Sequence, residues 1–118
     1  MSTPVGPYTP VVRAGDWLVV SGQVGLGADG LAVGFEAQLR QALANLQGHV
    51  EGAGATLAQV VKTTVFLVSM DDYPALNEIY TAHFDAHGSG HRPARSAVAV
   101  AGLPIGALVE VEAWVHLG

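Results

Sequence analysis

Val60-Val61-Lys62-Thr63-Thr64-Val65-Phe66-Leu67-Val68 is the stretch on which the fold turns. Its β-branched and aromatic residues suit a pleated, half-buried surface. Lys62 and Thr64 fall on one side of it, which leaves that side only partly apolar. An amphipathic helix is expected before and after it. Upstream, Phe35, Leu39, Ala42, Leu43, Leu46, Val50 and Ala53 recur at helical spacing, with Glu36, Arg40, Gln41, Asn45, Gln47 and Glu51 on the opposite face. Gly52 and Gly54 end that run. Downstream, Asp71-Asp72 ahead of Pro74 reads as an N-cap and a first-turn proline. Tyr73, Leu76, Ile79, Tyr80 and Phe84 then mark a second helix to about His87, stopped by Gly88-Ser89-Gly90.

Strands flank this unit. Residues 11–13 and 17–21 are β-prone runs around the turn Ala14-Gly15-Asp16. The apolar run 97–100 reads as a buried strand, and 108–117 alternates Val109, Val111, Ala113 and Val115 with Glu110, Glu112, Trp114 and His116. The order of two strands, helix, strand, helix and two strands predicts an α+β domain, a mixed sheet with both helices on one face. The other face, carrying Lys62, Glu110, Glu112 and Trp114, suits cover by a second copy of the sheet. Before the first strand, Pro4, Gly6 and Pro7 make 1–9 an irregular arm.

A chain of 118 residues is one domain by length. Half of the residues are apolar and 13% charged, so apolar surface is left over and oligomerisation is the natural way to cover it. The net charge of -5, with no basic tail, disfavours nucleic acid as a partner. The absence of cysteine excludes disulfides and thiol chemistry. With no apolar run of about 18 residues and no signal-like N-terminus, a cytoplasmic protein without membrane contact is expected.

Two of the five Lys and Arg residues sit in Arg92-Pro93-Ala94-Arg95-Ser96. Pro93 holds the chain extended, which places Arg95 at the root of a strand. A guanidinium keeps its charge and its fork matches a carboxylate, so Arg95 is the candidate clamp for a small organic acid. Glu110 is its candidate partner. If the last two strands form a hairpin centred near Pro104, the two are offset by three residues, roughly 10 Å, and can face one ligand provided they share a sheet face. An adjacent subunit can supply the partner instead, and a surface ion-pair role for each is the plain alternative.

Other constellations carry less. His83, His87 and His91 have ligand-like spacing, but no Glu follows His83, and imidazoles in a last helical turn are favoured by the helix dipole alone. No metal site is expected. Gly25-x-Gly27-x-x-Gly30 matches the dinucleotide fingerprint, yet Asp29-Gly30 reads as a turn and Glu51 lies inside a helix, so it reads as a Gly-rich connection. Neither Ser21 nor Ser96 stands in a Gly-x-Ser-x-Gly elbow. Tyr8 stands where regular structure begins, and Asn77 is a polar residue near Tyr80 on a mostly apolar helix. Packing explains the first, and solvent exposure the second, as well as a ligand does.

Gly6-Pro7-Tyr8, Val20-Ser21-Gly22-Gln23, Gln41 to Leu46, Val60 to Leu67, Asn77-Glu78-Ile79-Tyr80, Pro93-Ala94-Arg95-Ser96, Leu103-Pro104 and Val109 to Ala113 together resemble the RidA/YjgF enamine and imine deaminases. The resemblance implies a chorismate-mutase-like α+β fold assembled as a homotrimer with clefts between subunits. It also implies hydrolysis of 2-imino acids, and their 2-aminoacrylate-type enamine tautomers, to 2-oxo acids and ammonia, without a cofactor. By position, Arg95 would hold the substrate carboxylate and Glu110 would orient or activate the water and move protons to the departing nitrogen. Tyr8, Ser21 and Asn77 match cleft-lining positions. Gly25 replaces the family's Pro, Ala97 stands where many relatives have Cys, and Arg92 replaces an apolar or aromatic residue, where it would add positive potential at the mouth. The alternatives are a non-catalytic carboxylate-binding or chaperone-like trimer, and a ribonuclease or translation inhibitor.

Overall fold

The computed structural model describes residues 4–118, so the part of the expected irregular arm at 1–3 lies outside it. In chain order the elements are β1 (Val11–Ala14), β2 (Trp17–Val24), β3 (Leu26–Gly27), β4 (Gly30–Leu31), α1 (Phe35–Gly52), β5 (Val60–Leu67), α2 (Tyr73–His87), β6 (Ala94–Ala99) and β7 (Val109–His116). Five strands form one mixed sheet in the order β1-β2-β7-β5-β6, while β3 and β4 make a small separate hairpin. Only the β5–β6 pair is parallel. A parallel pair needs a crossover, which α2 provides.

Both helices cover one face, as the periodicity predicts. Leu39, Leu43, Leu46 and Val50 of α1 and Leu76, Tyr80 and Phe84 of α2 pack against Leu18, Val20, Val65, Val111 and Val115 of the sheet. The alternation read in β7 holds in detail: Val109, Val111, Ala113 and Val115 are wholly buried, and Glu110, Glu112, Trp114 and His116 face the other way. That second face is uncovered in a single chain, where Trp17 meets Trp114 edge-on with ring centroids 6.3 Å apart.

Three expectations are corrected. The last two strands do not form a hairpin, because β5 lies between β6 and β7. The inward residues of β7 need neighbours on both sides, and β2 and β5 supply them. The run 97–100 is not buried: β6 is an edge strand with one neighbour, and Val98 is 45% exposed. Finally, Gln41 and Asn45 do not simply face solvent. Asn45 Nδ2 donates to the carbonyls of Val24 (3.1 Å) and Leu26 (2.9 Å), and Gln41 Nε2 donates to Asn45 Oδ1 (2.8 Å). These bonds fasten the Gly-rich connection onto α1. Gly25 makes that closeness possible, since a Cβ there would stand 2.5 Å from Gln38 Cα. Gly25 is thus a contact point between loop and helix.

Candidate active site

Arg95, the second residue of β6, stands directly opposite Thr63 of β5, whose side chain points into the helix-covered core. The guanidinium therefore lies at the sheet edge against α2. Its Nη2 donates to Asn77 Oδ1 at 2.7 Å and to the Tyr73 hydroxyl at 3.2 Å. Its Cζ stands 5.0 Å from the Tyr80 ring centroid and 5.6 Å from that of Tyr73, within cation–π range. Tyr73, Asn77 and Tyr80 are spaced four and three along α2, so one helix face presents all of them. Tyr80 is itself anchored, its hydroxyl 2.7 Å from Thr63 Oγ1 in the interior. Burial, the larger effect, raises the Tyr80 pKa, against the smaller pull of that hydrogen bond and of the nearby Arg95 and Arg92 charges.

Glu110 belongs to the opposite face of the sheet. It stands across from Phe66 of β5 and Val24 of β2, on the side that carries Glu112 and Trp114. A groove there is lined by Tyr8, Ser21, Gly22, Phe66, Glu110 and Glu112. β2 is irregular between Val20 and Gln23, so Ser21 and Gly22 bulge toward the groove. The Glu110 side chain crosses directly over Gly22, where a Cβ would lie 2.6 Å from Glu110 Cδ. Desolvation, then the neighbouring Glu112 charge, push the Glu110 pKa above the usual carboxylate range. Ser21 Oγ donates to the Thr9 carbonyl at 2.7 Å, and its N–H donates to that of Pro10. These two bonds tie down the arm that carries Tyr8, whose ring is 42% exposed at the groove.

The candidate residues therefore fall into two groups. Tyr8, Ser21 and Glu110 share the open face, and Arg95 and Asn77 share the helix side. Arg95 and Glu110 are two strands and three residues apart, roughly 14 Å by strand spacings, and point to opposite faces. Within one chain they do not share a sheet face, which the hairpin geometry required. Arg92 does not add free charge at a mouth, for it is paired with Asp85 at 2.7 Å. Of the histidines, His91 Nε2 is bonded to the Val60 carbonyl at 2.7 Å. His83 and His87 lie with ring centroids 4.6 Å apart and planes tilted by 48°, and burial, helped by His87, lowers the His83 pKa to about 4. Among the described residues no group of three or more His, Asp or Glu side chains is placed to hold a metal ion.

Sequence reading missed three residues: Tyr73 and Tyr80 as braces of Arg95, and Gly22 as the floor beneath Glu110. The four-and-three spacing around Asn77 was a usable signal for the first two. The Gly22 contact depends on which strand lies beside β7, which no local pattern carries.

The sequence profile of the endoribonuclease L-PSP family matches residues 1–117. The chain is 43% identical over 112 residues to the 2-iminobutanoate/2-iminopropanoate deaminase of Mus musculus, covering 92% of this chain and 80% of that one. Among solved structures it resembles the YjgF gene product of E. coli, with a TM-score of 0.91, 36% identity and coverage of 96% and 90%. RidA from an Antarctic Psychrobacter is similar too, with a TM-score of 0.88, 39% identity and coverage of 97% and 91%.

Proposed function

The chain belongs to the endoribonuclease L-PSP family, that of YjgF and RidA, and on that premise we propose that it hydrolyses 2-imino acids and their enamine tautomers to 2-oxo acids and ammonia. The relative named 2-iminobutanoate/2-iminopropanoate deaminase supports this substrate class. The observation that carries the reading is a braced guanidinium, Arg95, matched by a carboxylate, Glu110, with no hydrogen-bond partner of its own among the described residues.

Because these two groups face opposite sides of the sheet, a ligand held by both lies between two copies of the chain. A homotrimer, three chains of 12.1 kDa or about 36 kDa, supplies such clefts through head-to-tail contacts. The uncovered face with Trp17, Trp114 and Val98 is the surface those contacts would bury. In each cleft Arg95 and Asn77 come from one copy and Tyr8, Ser21 and Glu110 from its neighbour.

In the reaction, Arg95 holds the carboxylate and so fixes the imine carbon beside Glu110. Glu110 accepts a proton as water adds to the carbon of the protonated imine, forming a neutral carbinolamine. It then passes that proton to the amino nitrogen, and as the C–N bond breaks the carbinol hydroxyl gives up its own proton to the departing ammonia, leaving the 2-oxo acid and an ionised Glu110. A carboxyl whose pKa is raised by desolvation holds a returning proton more readily than an ordinary carboxylate, which suits the second half of this transfer. An imine already reacts with water, so holding the acid and placing one water supplies much of the acceleration. Glu110 and Glu112, side by side in the groove, oppose a phosphate backbone, which argues against RNA as the substrate.

Subunit mixing tests the proposal. Ammonia release is measured from 2-iminobutanoate generated in situ by an amino-acid oxidase. Arg95→Ala and Glu110→Gln are each expected to lose activity, and refolding them together in equal amounts restores about a quarter of the parental rate, the share of clefts that receive both intact groups. No recovery, in a mixture shown to contain hetero-oligomers, refutes the shared cleft. Full activity of Arg95→Ala refutes the deaminase reading itself.

A further inference from the structure

A guanidinium binds a carboxylate in two parallel hydrogen bonds through one of two edges, Nε with Nη2 or Nη1 with Nη2. Nη2 belongs to both edges and carries two hydrogens. In this structure Nη2 already donates twice, to Asn77 Oδ1 at 2.7 Å and to the Tyr73 hydroxyl at 3.2 Å, which matches its two hydrogens. Neither edge is open to a bidentate ligand until one of these bonds breaks.

The two bonds are unequal. The bond to Asn77 is short and partly shielded, whereas the bond to Tyr73 is longer and lies in solvent, with Tyr73 37% exposed. We infer that the Tyr73 hydroxyl is a displaceable lock on Arg95: it occupies the donor that the substrate carboxylate must take, and it sets the affinity of the site for 2-imino and 2-oxo acids. This rests on the reading above that Arg95 is the carboxylate anchor. On binding, one carboxylate oxygen replaces the phenol oxygen at Nη2, and the exposed Tyr73 hydroxyl turns to water. Asn77 keeps the guanidinium in plane throughout, and the Tyr80 ring keeps its flat face covered. The ring of Tyr73 also stays near the guanidinium, so the lock resides in a single oxygen atom.

Tyr73→Phe removes that oxygen and leaves the ring. A neutral hydrogen-bond competitor worth about 1 kcal/mol net corresponds to a three- to tenfold gain when it is removed. Calorimetric titration with 2-oxobutanoate is therefore expected to give a Kd about three- to tenfold lower for Tyr73→Phe than for the parent. KM for iminobutanoate falls in the same proportion. A merely structural role for the hydroxyl would raise KM, so the direction of the change is decisive. An unchanged or weaker Kd overturns the lock and, where weaker, makes the hydroxyl a direct ligand. Arg95→Ala separates the two levels of the argument. If it binds 2-oxobutanoate as well as the parent does, the anchor fails and the lock with it. If it fails to bind while Tyr73→Phe shows no tightening, the anchor stands and only the lock is refuted.

Discussion

Replacing Gly22 with Ala moves the carboxylate of Glu110, the proton carrier proposed above, without touching it chemically. An ideal Cβ at position 22 would meet Glu110 Cδ at 2.6 Å, Cγ at 2.8 Å and Oε2 at 2.9 Å. Carbon atoms in ordinary contact stand about 3.5–4.0 Å apart, so the Glu110 side chain must retreat by about 1 Å. The three nearest atoms all belong to that one side chain, and the strand itself need not shift. A displacement of about 1 Å in a positioned group costs on the order of a hundredfold in rate, equivalent to about 2.7 kcal/mol of transition-state stabilisation. Stability responds differently. Gly→Ala at a compatible backbone position gains about 0.4–1 kcal/mol through the unfolded chain, and an off-rotamer Glu110 costs about 0.5–1.5 kcal/mol. The two nearly cancel, so the melting midpoint moves by less than about 5 °C. The assay is kcat/KM for ammonia release from iminobutanoate beside a thermal melt, with Glu110→Gln as the reference. A Gly22→Ala enzyme within about twofold of the parent would show that the chemistry does not depend on where Glu110 is held.

Three further outcomes follow from the same geometry. Since the folded-state pKa of Glu110 is raised, its ionisation opposes folding, and Glu110→Gln is more stable than the parent at pH 7. That gain fades as pH falls below the ordinary carboxylate pKa, where Glu110 is protonated in both states; urea midpoints at pH 7 and pH 4 check it. His83 has the opposite sign: with its pKa lowered from 6.5 to about 4, it contributes stability that is full above pH 6.5 and lost as pH falls toward 4. His83→Gln therefore shows a flatter decline over that window in urea melts. Thr63→Val strands the buried Tyr80 hydroxyl and costs about 1–3 kcal/mol, while Thr63→Val with Tyr80→Phe recovers most of the loss in a double-mutant cycle.

Element type and the covered face were legible because they depend on period alone. The apolar stripes of α1 and α2 and the alternation of β7 name most of their own inward residues, and these pack together, whereas Ala53 beyond the end of α1 and Tyr73 at the start of α2 are exposed. Strand adjacency was not legible. That β6 joins β5 in parallel, rather than β7 in a hairpin, is decided by where α2 returns the chain, and the run 97–100 reads alike in either arrangement. The site suffered in proportion. Arg95, Asn77, Ser21, Tyr8 and Glu110 could be singled out from residue chemistry and resemblance. Their division between two sheet faces required the register. Asn45 illustrates the same limit at small scale: an amide on a polar helix face looks solvated until the connection after β2 folds back onto it.

β7 is made after every other strand of the sheet, yet it sits in the middle, between β2 and β5. Until it emerges from the ribosome the nascent chain holds two disconnected pieces, the β1–β2 ribbon and the β5–β6 pair, with no ladder joining them. Completion of the sheet is therefore tied to the end of synthesis of this segment. A chain broken off short of residue 109 lacks Val109, Val111, Ala113 and Val115, and with them the ladder that joins the two pieces.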